Sequence, residues 1–175
     1  VQSLLQYRLQ VPLVDKMLDM AKVGPNDLHY DLGSGDGRTV ITAAKRGARS
    51  YGIEYNPDMV ELSKRNAAAA KVSPDRATFV QADLFHYLRD AHQRGEQFDV
   101  VILDPAKLTR DREQVIAALK KYNDMNKLAM QVVKPGGVLL TCSCTGLVGE
   151  EEFLDMIRRA AFYAGRTVQV LKVAG

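Results

Sequence analysis

Tryptophan is absent from this 175-residue chain, and only two cysteines and three histidines are present. Cys142 and Cys144 stand two apart in one apolar stretch read as a strand, where they cannot readily bridge each other, so no disulfide framework is expected and both thiols should be reduced. His29, His86 and His92 show no ligand spacing. They are read as surface or edge residues, and no metal is expected. No apolar run approaches the ~20 residues of a membrane span, and no basic segment followed by an apolar one opens the chain, so a cytoplasmic protein without a membrane partner is expected. Charge of one sign is also scarce in excess: 24 Lys plus Arg against 21 Asp plus Glu leave +3, with a pI near 8.9. That balance neither demands nor excludes a polyanionic partner. Repeats, low-complexity tracts and linkers are missing too. One domain over 1–175 is therefore expected, with 1–26 as an N-terminal helical segment and 27–175 as an α/β core, for which 46% hydrophobic content suffices.

What is present is an alternation of short apolar runs with longer amphipathic stretches, the signature of βαβ units feeding a parallel sheet. Strands are expected at Leu28–Leu32, Ser50–Glu54, Ala77–Gln81, Phe98–Leu103, Val138–Ser143 and Thr167–Val173. Val100 to Leu103 is the unbroken run of a central strand buried on both faces. Helices are expected over Leu4–Lys22, Thr39–Lys45, Pro57–Lys71, about Arg112–Val133, and Glu150–Ala164, the last acidic at its start and stopped by Gly165. Asn56-Pro57 is a good helix opening. The expectation is a doubly wound, mostly parallel six-stranded sheet.

Ligands of such sheets bind outside the carboxyl ends of the strands. There the first strand runs into Asp31-Leu32-Gly33-Ser34-Gly35-Asp36-Gly37, a turn that lets a ligand approach the backbone closely. A dinucleotide fingerprint needs a small residue at position 38, and Arg38 stands there, which argues against NAD. Glu54 ends the second strand 23 residues after Asp31, where a carboxylate can accept both hydroxyls of a ribose.

These residues, together with Gln81-Ala82-Asp83-Leu84 and Asp104-Pro105, resemble the ordered motifs of class I methyltransferases that use S-adenosylmethionine (SAM). The resemblance runs from about Val11 to Val173. It implies a Rossmann-like fold with S-adenosylhomocysteine as product, Asp31 helping to hold the methionine amino group, and Gly33, Ser34 and Gly35 lining methionine and ribose. It further implies that Glu54 takes the ribose diol, Tyr55 stacks near the adenine, Asp83 accepts from the adenine amine beside Leu84, and Asp104 faces the transferred methyl group.

From Phe98 the text FDVVILDPAKLTRDREQVIAALKKYNDMNKLAMQVVKPGGVLLTCSCTGLVGEEEFLDMIRRAA closely resembles the catalytic domain of bacterial 23S ribosomal RNA cytosine-5 methyltransferases of the large-subunit type. Tyr30 to Asn66 looks more like small generic class I methyltransferases, as if two sources had been joined, naturally or by engineering, near Asp83 to Arg89. Cytosine carbon 5 is a poor nucleophile, so such enzymes attack carbon 6 with a thiolate. Of the two cysteines, which face one side of their strand, Cys144 is nearer its carboxyl end and is the expected nucleophile, with Asp104 at the cytosine edge. Lys107 and Arg110 are candidate phosphate contacts to RNA. Where the resembled enzymes carry Pro-Pro after the aspartate, this chain has Pro105-Ala106. Six strands are expected where the resembled fold has seven, and a homodimer is the expected cover for the edge so left. Two alternatives stay open: a SAM-binding scaffold with little or no catalysis, and an N-methyltransferase acting on protein or a small molecule.

Overall fold

The structure, a computed structural model, describes residues 13–105, 108–143 and 145–173. Residues 13–20 form helix α1; the rest of the expected Leu4–Lys22 helix lies outside the described residues or, after Met20, in turns. Then follow β1 (Leu28–Leu32), α2 (Arg38–Lys45), β2 (Arg49–Glu54), α3 (Pro57–Ala69), β3 (Ala77–Gln81), α4 (Leu84–Gln93) and β4 (Phe98–Leu103). A short 3-10 turn at Arg112–Gln114 leads into α5 (Val115–Val132), β5 (Val133–Thr141) and α6 (Glu150–Ala164).

All four strand pairings are parallel and the spatial order is β3-β2-β1-β4-β5. The chain winds outwards from β1 to β3, then returns to β4 on the other side of β1, so the switch point falls between β1 and β4. Successive residues of a strand face opposite ways, and both faces are covered. Tyr30, Leu32, Ile53, Val101 and Leu103 pack against Leu88 of α4, Tyr122 and Ala129 of α5, and Met156 and Ala160 of α6. On the other face, Val100 and Ile102 pack against Val14 and Leu18 of α1 and Ala43 of α2. This two-sided burial is why β4 reads as a nearly continuous apolar run. Tyr30 is sandwiched across three strands, 4.7 Å from Tyr51 and 3.7 Å from Phe98 between ring centroids.

Several expectations need correction. Five strands, not six, make the sheet of the described residues: Thr167–Val173 is unpaired, and Val168, Val170, Leu171 and Val173 are exposed. A strand exists only through a neighbour's backbone groups, and the order ends at β5 without one for this segment. β5 begins at Val133, taking in Pro135-Gly136-Gly137 with a register shift against Phe98/Val100, and it stops at Thr141, so Cys142 lies just beyond the strand. Helix α4 was not expected, although its N-cap and its Leu84, Leu88, Ala91 spacing are legible. His29, read as a surface or edge residue, is fully buried, its Nδ1 2.6 Å from Ser50 Oγ, and burial lowers its pKa to about 3. Among the described residues no helix is long and apolar enough to cross a membrane.

Candidate functional site

The carboxyl ends of all five strands open on one edge. Along it, in spatial order, stand Asp83 after β3, Glu54 at the end of β2, the glycine turn after β1, Asp104 after β4 and Cys142 after β5. Backbone hydrogen bonds tie these tips together: Ala82 N donates to Glu54 O at 3.0 Å, Gly33 N to Ile53 O at 2.9 Å, Asp104 N to Leu32 O at 3.3 Å, and Cys142 N to Leu103 O at 2.9 Å. With parallel strands ~4.8 Å apart, the tips of β1, β4 and β5 lie within roughly 10 Å.

The glycine turn is packed closely at the switch point. Gly33 has φ +91, and a Cβ there would meet the carbonyl oxygen of Asp104 at 2.7 Å, so only glycine fits. Ser34 turns its side chain inwards over Gly52, where a Cβ would come within 2.7 Å of its Oγ. Among the described residues that buried hydroxyl has no hydrogen-bond partner. Asn66 of α3 anchors the turn from outside, its Nδ2 donating to Asp36 O at 2.9 Å, while Arg38 pairs with Asp36 at 2.7 Å. Sequence reading missed Gly52 and Asn66. A glycine inside a strand was the available signal for the first; Asn66 carries none.

Four carboxylates, Asp31, Asp36, Glu54 and Asp104, act on one another at this turn. Asp31 is 3% exposed, and its pKa is raised to about 7, chiefly by burial and then by the charge of Asp104, with Asp36 and Glu54 adding to it and a hydrogen bond from Thr39 opposing. Glu54 accepts from Gly35 N at 3.0 Å through Oε2 and from Asn56 N at 2.9 Å through Oε1. Each carboxylate oxygen has a second lone-pair site for a further donor. Tyr55 is 74% exposed beside it and presents a free aromatic surface. Asp83 is the N-cap of α4, its Oδ1 accepting from His86 N at 3.0 Å, and that bond holds its carboxyl below the usual range. Leu84 is half-buried against the core. Asp104 is exposed, Pro105 buried and Arg110 exposed. Lys107 and Cys144 lie outside the described residues; Cys142 is half-buried as a thiol.

Residues 31–103 match a family model described as the ANTKMT methyltransferase domain. An RNA methyltransferase from Salinibacter ruber, solved in complex with S-adenosyl-L-homocysteine, is 35% identical, over 74% of this chain and 73% of that one, with a TM-score of 0.58. This chain belongs to the class I SAM-dependent methyltransferases. A SAM-dependent methyltransferase from Agrobacterium tumefaciens shares the fold at 16% identity and a TM-score of 0.73, over 87% of this chain and 50% of that one. Ribosomal RNA large subunit methyltransferase I of Tolumonas auensis is 38% identical over 133 residues, which are 75% of this methyltransferase and 34% of that protein. The chain thus spans about a third of the length of the curated relatives it matches. A match of that extent necessarily crosses Asp83 to Arg89, so a single relative accounts for both sides of the expected junction.

Glu54→Ala is expected to weaken SAM binding by about 2 kcal/mol, the cost of leaving charge-assisted hydrogen bonds unmade. Titration calorimetry would show it; unchanged affinity would remove Glu54 from the site.

Proposed function

We propose that this methyltransferase domain methylates carbon 5 of a cytosine in RNA, with Cys144 as the nucleophile. The observation that carries the reading is the pairing of Cys142 N with Leu103 O, which starts the Cys142-Ser143-Cys144 segment beside Asp104 at the switch point. The site also suits the cofactor. SAM carries two positive charges, an ammonium and a sulfonium, and the carboxylates of Asp31, Glu54 and Asp104 stand around the turn. Asp31 would hold the methionine ammonium, Gly33 and Gly35 would line methionine and ribose with the backbone of Ser34, and Glu54 would take the ribose diol. Tyr55 would cover the adenine face, with Asp83 and Leu84 at its edge.

Bound there, the cofactor supplies an electrophilic methyl group on a sulfonium. The Cys144 thiolate adds to C6 of the cytosine, whose C5 becomes an enamine carbon and takes the methyl group as the C–S bond to it breaks. A base then removes the C5 proton, and the thiolate leaves C6 with the aromatic ring restored. Asp104 would hold the cytosine edge through its exocyclic amine. Similarity to the Salinibacter ruber RNA methyltransferase and the Tolumonas auensis ribosomal RNA methyltransferase supports RNA as the acceptor.

Large-subunit ribosomal RNA containing 5-fluorocytosine tests the reading, because fluorine at C5 cannot leave as a proton does. The protein and RNA should form an adduct that survives denaturing electrophoresis and depends on SAM. Methyl transfer to ordinary RNA without any trapped adduct would exclude the thiol mechanism and favour a nitrogen acceptor.

A further inference from the structure

The loops after β4 and β5 are joined at a point no motif marks. Thr109 and Thr145 are 4% and 3% exposed, although their neighbours Arg110, Asp111 and Gly146 are exposed. Thr145 Oγ1 donates to Thr109 O at 3.2 Å and accepts from Leu147 N at 3.3 Å, so one hydroxyl links both loops. Thr109 Oγ1 donates to Asp111 O at 2.8 Å and accepts from Asp111 N at 3.0 Å, which closes the β4 loop on itself. Asp111 then caps the 3-10 turn that starts the α5 arm, accepting from Glu113 N at 3.1 Å. On the β5 side Ser143 Oγ donates to Thr145 O at 3.4 Å.

We infer that Thr145, through Thr109, is a positioning residue that fixes the nucleophile-bearing loop against the loop of Asp104. The inference rests on the proposed thiol mechanism. Its physical content is that the backbone is anchored on both sides of Ser143-Cys144: by Cys142 N on Leu103 O before it, and by Thr145 on Thr109 O after it. Both ties belong to the loop that follows β5 and hold it to β4 and to the loop after β4. Addition to C6 needs the reacting atoms close and aligned, and a misplacement of 1 Å can cost on the order of a hundredfold in rate. Sequence alone hides the device, because its partners are 36 residues apart.

Thr145→Val keeps the shape of the side chain and replaces the hydroxyl with a methyl group, which leaves Thr109 O and Leu147 N without that partner. With unmodified large-subunit ribosomal RNA and radiolabelled SAM, kcat should fall ~10- to 100-fold with SAM affinity within about twofold, and formation of the 5-fluorocytosine adduct should slow by the same factor. Thr145→Ser, which restores the hydroxyl, should recover most of the rate. Wild-type kcat in Thr145→Val would overturn the inference, as would a loss of SAM affinity in parallel with kcat that Thr145→Ser does not reverse. Cys144→Ala, measured alongside, separates the two levels. If it is inactive while Thr145→Val turns over normally, only the positioning role fails; if it remains active, the thiol mechanism fails and the positioning role with it.

Discussion

Cys144→Ala is expected to lower methyl transfer to RNA by at least ~10³-fold, while SAM affinity stays within about twofold of wild type. The size follows from the chemistry of the acceptor. Without a covalent bond at C6, cytosine C5 has no enamine electrons to offer, and holding the two reactants together cannot substitute for them. The carboxylates proposed to hold the cofactor belong to β1, β2 and the tips of β3 and β4, and the hydrogen bonds of Glu54 and Asp83 come from residues outside the β5 loop. Cys142→Ala is the discriminating partner. Its backbone amide, which the substitution keeps, already pairs with Leu103 O, and this change should leave most of the rate. Single-turnover transfer of a radiolabelled methyl group measures both variants. Equal, near-wild-type rates would transfer the acceptor assignment to nitrogen; loss in Cys142→Ala with retention in Cys144→Ala would exchange the two thiols' roles.

The parts of the fold legible in the sequence are those where local pattern and burial agree. β1, β3, β4 and α6 fall on their expected boundaries; β4 reads as an apolar run buried on both faces, and α6 carries acidic residues at its start and Gly165 at its end. Asp31, Glu54, Asp83 and Asp104 were found at the carboxyl ends of strands or within two residues of them because the ends of β1 to β4 were clear, whereas the end of β5 was not. Helix α4 escaped because Asp83 was read for its motif, and the same carboxylate is the cap that announces the helix. Thr167–Val173 misled because apolar residues with strand spacing state a preference, whereas pairing needs an available edge partner. His29 was taken for an edge residue because its type is usually exposed, yet β1 is central and its Ser50 partner on β2 satisfies one ring nitrogen. Ser34 was placed correctly in the turn, but the direction of its side chain depends on Gly52, which a reading of the turn alone does not reach.

SAM affinity is expected to fall about tenfold per pH unit below pH 7, and Asp31 is the cause. Its carboxyl is buried, faces Asp104, Asp36 and Glu54, and receives one compensating hydrogen bond from Thr39, so in the free protein it ionises near 7 rather than 3.8. The methionine ammonium binds the ionised form, so below that point each bound cofactor must displace a proton. At about pH 6, titrations in buffers of different ionisation heat should therefore report release of nearly one proton. Above about pH 8 the α-amino group of the ligand loses its own charge, and affinity should fall again, leaving a maximum between. The sign for stability is opposite. A folded-state pKa raised above 3.8 means that the folded protein holds the proton more tightly than the unfolded chain, so Asp31 makes the free protein more stable at low pH. That contribution is lost as pH rises from about 4 to 7, where cofactor binding offsets it. The gain in Tm on adding SAM should consequently shrink from pH 7.5 to pH 5.5 even as the free protein gains from Asp31. Asp31→Asn should flatten the acidic limb of the affinity profile and weaken binding on the order of a hundredfold at pH 7.5. An acidic limb that persists unchanged in Asp31→Asn would show that Asp31 is not the titrating group.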